Sequence, residues 1–244
     1  GGSFEIEFDF HDHELKIRMS DGRVEDFALY DGLTVADFYA SVFANLTKLG
    51  LKPEIKAEPY EAPSTVAFAE DHENKSYDKE YVERFHKILV AVDEIFEEFR
   101  GRFCGKSTPV HLFWHSFDLA LTRFSGRRAP KIEGANMVTR EAYSHEVISF
   151  GFWFGDDKEN SVAAPAFYSY TAPKPEGLED EPLQPKTAFW TPEGSMALLM
   201  YDDIRDLDNP RAAVLEFLES SYQAGAKAAD WDPANLQLSK TPGS

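Results

Sequence analysis

A charged side chain inside an apolar segment must find a partner or face a cavity, because leaving it bare in a core costs several kcal/mol. Asp118 and Arg123 stand in such a segment, between Val110 and Phe124. Arg127 and Arg128 follow at once, and Arg140, Glu141, Tyr143, His145 and Glu146 come soon after. The two stretches are expected to be neighbours in space. Together they predict a pocket for a small anionic molecule. In it Arg123, Arg127, Arg128 and Arg140 clamp a carboxylate or phosphate, Trp114, Glu141 and Tyr143 complete the lining, and His145, Glu146 or Asp118 serve as acid or base. The competing reading is a non-catalytic interaction or structural protein, in which these charges are salt bridges tying a loop to a sheet. Adjacent residues of a strand point to opposite faces, so His145 and Glu146 cannot act directly on one another. The discriminating observation is whether the side chains converge on an open cavity or pair off.

Other chemistries find less support. His111 and His115 are spaced i, i+4, which on a helix would let both grip zinc with Asp118 one turn on. On a strand the same spacing puts them about 13 Å apart, too far for one ion. The aromatic and β-branched content of Val110 to Phe124 favours an extended run, so no metal or other cofactor is expected. His11 and His13, beside Asp12 and Glu14, read as a polar hairpin tip. Cys104, the single cysteine, has no evident histidine partner, and there is no Gly-x-Ser-x-Gly elbow or phosphate-loop spacing. Trp114, Phe117, Phe150, Phe152, Trp153, Phe154, Phe167, Tyr168 and Tyr170 are either core or the wall of an apolar cavity.

Composition narrows the function classes. Asp and Glu outnumber Lys and Arg by 43 to 25, a formal charge of -18, which repels nucleic-acid backbones and anionic lipid surfaces. Neither nucleic acid nor membrane is therefore expected as a partner. One cysteine excludes an intrachain disulfide framework, and no apolar run reaches the length of a membrane span. A cytoplasmic location is expected.

The elements that must position these residues read as α+β. Phe4, Ile6, Phe8 and Phe10 alternate with acids as a half-buried strand does, Leu15, Ile17 and Met19 continue the pattern, and Ser20-Asp21-Gly22 turns into a third strand over 24–30. Thr34 and Asp37 cap a helix that ends at Gly50. Residues 52–75 form a connector with a short strand near Ile55, and an apolar stripe from Val82 to Phe99 marks a second helix. Further strands are expected over 146–154, 166–171 and 195–201, with a loop over 173–192 and a last helix opened by Asn209-Pro210. Residues 1–75 and 76–244 form the two parts, expected to pack as one unit. Stretches 4–49 and 146–228 share the order of three strands and a helix, which suggests two related halves.

The run from His111 through Ser-Phe-Asp-Leu-Ala and Thr-Arg-Phe-Ser-Gly-Arg, with Arg140-Glu-Ala-Tyr-Ser-His-Glu146, resembles the hallmark of a family of uncharacterised bacterial proteins known as a domain of unknown function. Phe4 to Phe10, Ser20 to Arg23, Ala36 to Tyr39 and Leu215 to Tyr222 extend the resemblance over most of the chain. The resemblance implies no reaction, cofactor or partner. It implies a further Trp- and His-containing segment before Gly1, and hence exposed apolar surface beside Phe4 or a homodimer that covers it.

Overall fold

The computed structural model describes residues 2–60, 64–156 and 162–236. The chain divides into two compact units, Gly1–Ile88 and Leu89–Ser244.

In the first unit β1 (Phe4–Asp9), β2 (Glu14–Met19) and β3 (Val24–Ala28) form an antiparallel meander. The register pairs Ile6 with Ile17 and Phe8 with Leu15, so the alternating apolar residues share one face. Helix α1 (Val35–Lys48) covers part of that face. Leu15, Ile17, Leu29, Leu46 and Leu49 are buried there together, and Phe8 stacks on Phe38. The helix starts as its sequence requires: the Thr34 hydroxyl accepts the Asp37 amide at 3.0 Å. Gly50 takes the left-handed conformation that closes it, φ 82°. Phe4 and Ile6 are exposed. The strand expected near Ile55 is absent; no described partner strand accompanies it, and its side chain is exposed.

Helix α2 (Lys79–Gly101) spans the division between the units. In the second unit a six-stranded antiparallel sheet is built from β4 (His111–Phe113), β5 (Asp118–Arg128), β6 (His145–Trp153), β7 (Ala166–Ala172), β8 (Phe189–Trp190) and β9 (Ala197–Met200). Its spatial order is β4-β5-β6-β7-β9-β8. A short helix α3 (Met137–Ala142) precedes β6, and α4 (Pro210–Ala228) follows β9. Antiparallel sheets with helices make this an α+β fold, as expected.

The single extended run expected over 110–124 is a hairpin. The chain reverses at Trp114 to Phe117, where the Phe117 amide donates to the Phe113 carbonyl at 2.7 Å and Phe117 takes φ 62°. No glycine or asparagine marks this turn, so the sequence carries no hairpin signal there.

One face of the large sheet is closed by helices. Leu119, Leu121, Ile148, Phe150, Phe152, Phe167 and Leu199 lie on it, buried with Phe96 and Phe99 of α2 and Val214, Phe217, Leu218 and Tyr222 of α4. Gly225 lets α4 come close: a Cβ there would lie 2.3 Å from the Thr171 hydroxyl. Burial at about 25 cal/mol per Å² of apolar surface makes this face the main source of the unit's stability. The opposite face of the same strands carries the site.

Candidate functional site

Period-two alternation assigns every residue of the central strands to a face. Toward the open side β5 presents Asp118, Ala120, Thr122 and Phe124, β6 presents Val147, Ser149 and Trp153, and β7 presents Ala166, Tyr168 and Tyr170. These residues line a cavity of 760 Å³, with Tyr143, Thr191, Glu193, Met196 and Leu198 among its walls. The volume is within the range of pockets that take small organic ligands.

Its polar centre is Asp118, which is 7% exposed. The Ser116 hydroxyl donates to its Oδ1 and the Tyr168 hydroxyl to its Oδ2. Tyr168 belongs to β7, two strands away, and reaches Asp118 by lying across β6. The register row Ala120, Gly151, Tyr168 explains how. Gly151 has no side chain, and a Cβ there would lie 2.2 Å from Tyr168 Cζ. Burial first, and then the neighbouring Asp118 charge, push the Tyr168 hydroxyl far above the usual tyrosine range. The phenol keeps its proton and acts as a donor. Tyr170 lies parallel to Tyr168, ring centroids 6.2 Å apart, and its hydroxyl, also pushed up by burial, meets that of Tyr143 at 3.2 Å. Thr122 and Ser149 hydroxyls pair at 2.9 Å. At the rim the Trp153 indole donates to the Ser116 carbonyl at 3.1 Å, which ties the β4–β5 turn to β6. Among the described lining residues there is no lysine, arginine or histidine.

The expected arginine clamp is therefore not assembled here. Arg123 points to the helix-covered face, 1% exposed. Its guanidinium sits 3.6 Å from the Phe99 ring centroid and 4.5 Å from that of Tyr222, and its Nη2 donates to the Phe99 carbonyl at 2.6 Å. That carbonyl belongs to the last turn of α2, so Arg123 caps a helix carboxyl end. Arg127 does the same for α4, donating to the carbonyls of Ala229 at 2.6 Å and Asp230 at 3.1 Å while pairing with Glu146 at 2.8 Å. Glu146 also accepts from Ser125. His145 meets its neighbour Ser144 at 3.1 Å. Arg128, Arg140 and Glu141 are exposed, as is Trp114 at the hairpin turn. Of the residues singled out in sequence, Asp118, Tyr143, Trp153, Tyr168 and Tyr170 line the cavity, and the Arg127–Glu146 pair holds a loop to a helix end. Ser116, Thr122, Ser149 and Gly151 were missed, although strand parity counted from Asp118 points to Thr122.

His111 lies on β4 with its Nδ1 2.9 Å from the Pro109 carbonyl. Among the described residues no three His, Cys, Asp or Glu side chains are grouped to hold a metal. None of the described helices is long and apolar enough to cross a membrane.

A family of unknown function, DUF5996, matches residues 1–238. The chain belongs to that family. The resemblance to a domain of unknown function read from the sequence is thus borne out, and membership brings no activity with it. No curated protein and no solved structure matches the chain.

Proposed function

We propose that the protein binds a small organic molecule with a largely apolar body on the open face of its six-stranded sheet. The observation that carries this reading is the cavity itself. It holds 760 Å³ of space between aromatic and aliphatic walls, around a buried carboxylate whose described hydrogen-bond donors are the hydroxyls of Ser116 and Tyr168. Binding sites of this kind join apolar walls with a few placed polar groups, and a pocket built only to be core would be filled. The charged clusters outside it support a structural role for Arg123, Arg127 and Glu146, since each is engaged with a helix end or a loop. An anionic ligand fits poorly, because the described lining offers two carboxylates, Asp118 and Glu193, and no cation.

A thermal-shift screen of a chemically diverse small-molecule library, repeated on Ser195→Trp, tests the reading. Ser195 lies exposed at the rim, so the added indole obstructs the cavity without entering the core. A ligand at a hundredfold excess over its Kd stabilises by about 2.7 kcal/mol, a shift of several degrees. Loss of that shift in Ser195→Trp is expected. Hits that stabilise both chains equally, or no hits at all, would refute the proposal.

A further inference from the structure

We infer that the ligand is an amine, held through its ammonium group by Asp118; this rests on the cavity being a binding site. A carboxylate as buried as Asp118 needs compensation. Two neutral donors, Ser116 and Tyr168, satisfy one position on each of its oxygens, out of about four acceptor sites that an ionised carboxyl offers. None of these described partners is a cation, and Asp118 lines the cavity, so a cationic group on the ligand would supply the charge that the described residues do not.

The rest of the cavity agrees. The parallel rings of Tyr168 and Tyr170, tilted by only 14°, stand in the same wall as Asp118, with Tyr143 and Trp153 in the lining. Aromatic faces attract ammonium groups and repel anions. Glu193 adds a second carboxylate at the rim, and the chain's charge of -18 draws cations toward it at long range. Tyr168, held protonated, fixes Asp118 as acceptor and leaves the ammonium as the group that neutralises it. The apolar walls then take an aromatic or aliphatic body. The substrate class is a primary or secondary amine bearing a hydrophobic group.

The test uses the full chain and three skeletons, phenylethyl, indolylethyl and cyclohexylethyl, each as the amine, the alcohol and the carboxylate. Affinities are measured by calorimetry, with binding located by NMR shifts of the cavity residues. Each amine should bind at least about tenfold tighter than its alcohol, the size of a charge-assisted hydrogen bond, with the carboxylate weakest. Asp118→Asn should bring amine and alcohol to within about twofold of each other. Alcohols or carboxylates binding as well as amines to the unaltered chain, or an amine preference that survives in Asp118→Asn, would overturn the inference and leave the cavity a binding site in which Asp118 does not select an ammonium group. If no member of any charge class moves the cavity resonances at millimolar concentration, both the inference and the reading beneath it fall. The ranking in the unaltered chain is decisive by itself, so the test holds even where Asp118→Asn fails to fold.

Discussion

Asp118 and Arg123 are five residues apart on one strand, both almost wholly buried, and neither takes part in a described salt bridge. An odd separation sends them to opposite faces of the sheet. On the closed face Arg123 is surrounded by the rings of Phe99, Phe103, Phe150 and Tyr222 and caps α2. On the open face Asp118 is held by two hydroxyls at the edge of an unfilled space. The cation is absorbed by structure, whereas the anion faces the cavity. One strand therefore separates a charge that serves folding from a charge to which the proposed function gives recognition.

The sharpest way to break this contrast is to remove Arg123. Arg123→Ala should lose about 3 kcal/mol or more in urea denaturation, because it empties a large, fully enclosed site and leaves the Phe99 carbonyl with the Arg102 amide, at 3.2 Å, as its one described donor. Arg123→Met keeps the volume and removes a poorly solvated charge, so its loss should stay under about 1.5 kcal/mol. Desolvation pulls the Arg123 pKa below the ordinary arginine range, down to about 10. Above that pH the unfolded chain holds the proton that the folded chain releases, so this residue's contribution to stability rises from about pH 10 toward the ordinary arginine range. Arg123→Met should lack that rise. Equal damage from Met and Ala would mean that the cation, through its rings and carbonyl, is itself what holds the helices on.

Gly151→Ala probes the open face at next smaller scale. The added methyl would overlap Tyr168 Cζ at 2.2 Å, so the ring must leave Asp118. Overpacking of this kind costs about 1–3 kcal/mol, less than emptying the Arg123 site, but amine binding should fall by about tenfold through loss of the Tyr168 wall and donor. Tyr168→Phe, which removes the hydroxyl and keeps the ring, separates the two effects. A Gly151→Ala chain with unaltered affinity would show that Tyr168 does not shape the site.

How far these features could be read in advance follows from the local signals. The meander, α1 with its Thr34 cap, α2, β6, β7, β9 and α4 all carry periodicity or capping chemistry, and they stand within a few residues of expectation. The β4–β5 turn lacks turn residues. Helix α3 has an Asn136 cap but no apolar stripe, since Met137 and Val138 are exposed, and β8 is two residues inside a proline-rich stretch. At the site, residue type pointed to arginines while parity pointed elsewhere: counting along β5 from Asp118 already excludes Arg123 from its face. The Tyr168–Asp118 bond spans two strands and depends on a glycine between them, a long-range fact that no local pattern carries.

Asp118→Asn should produce the smallest change in stability of the three positions, within about 1 kcal/mol of the unaltered chain. The reason is the nature of its partners. Asn keeps one acceptor oxygen and turns the other position into a donor. The Ser116 and Tyr168 hydroxyls donate to the carboxylate now, and each is also able to accept, so one of them need only rotate its proton to stay paired. The substitution also removes a buried charge, a group whose desolvation opposes folding. Arg123 has no such freedom: a guanidinium only donates, and the rings around it offer no replacement hydrogen bond. Urea denaturation of Asp118→Asn beside Arg123→Ala reads the difference directly. A loss at Asp118 as large as that at Arg123 would make the carboxylate a structural element of the sheet, and the two faces of β5 would then serve the same end.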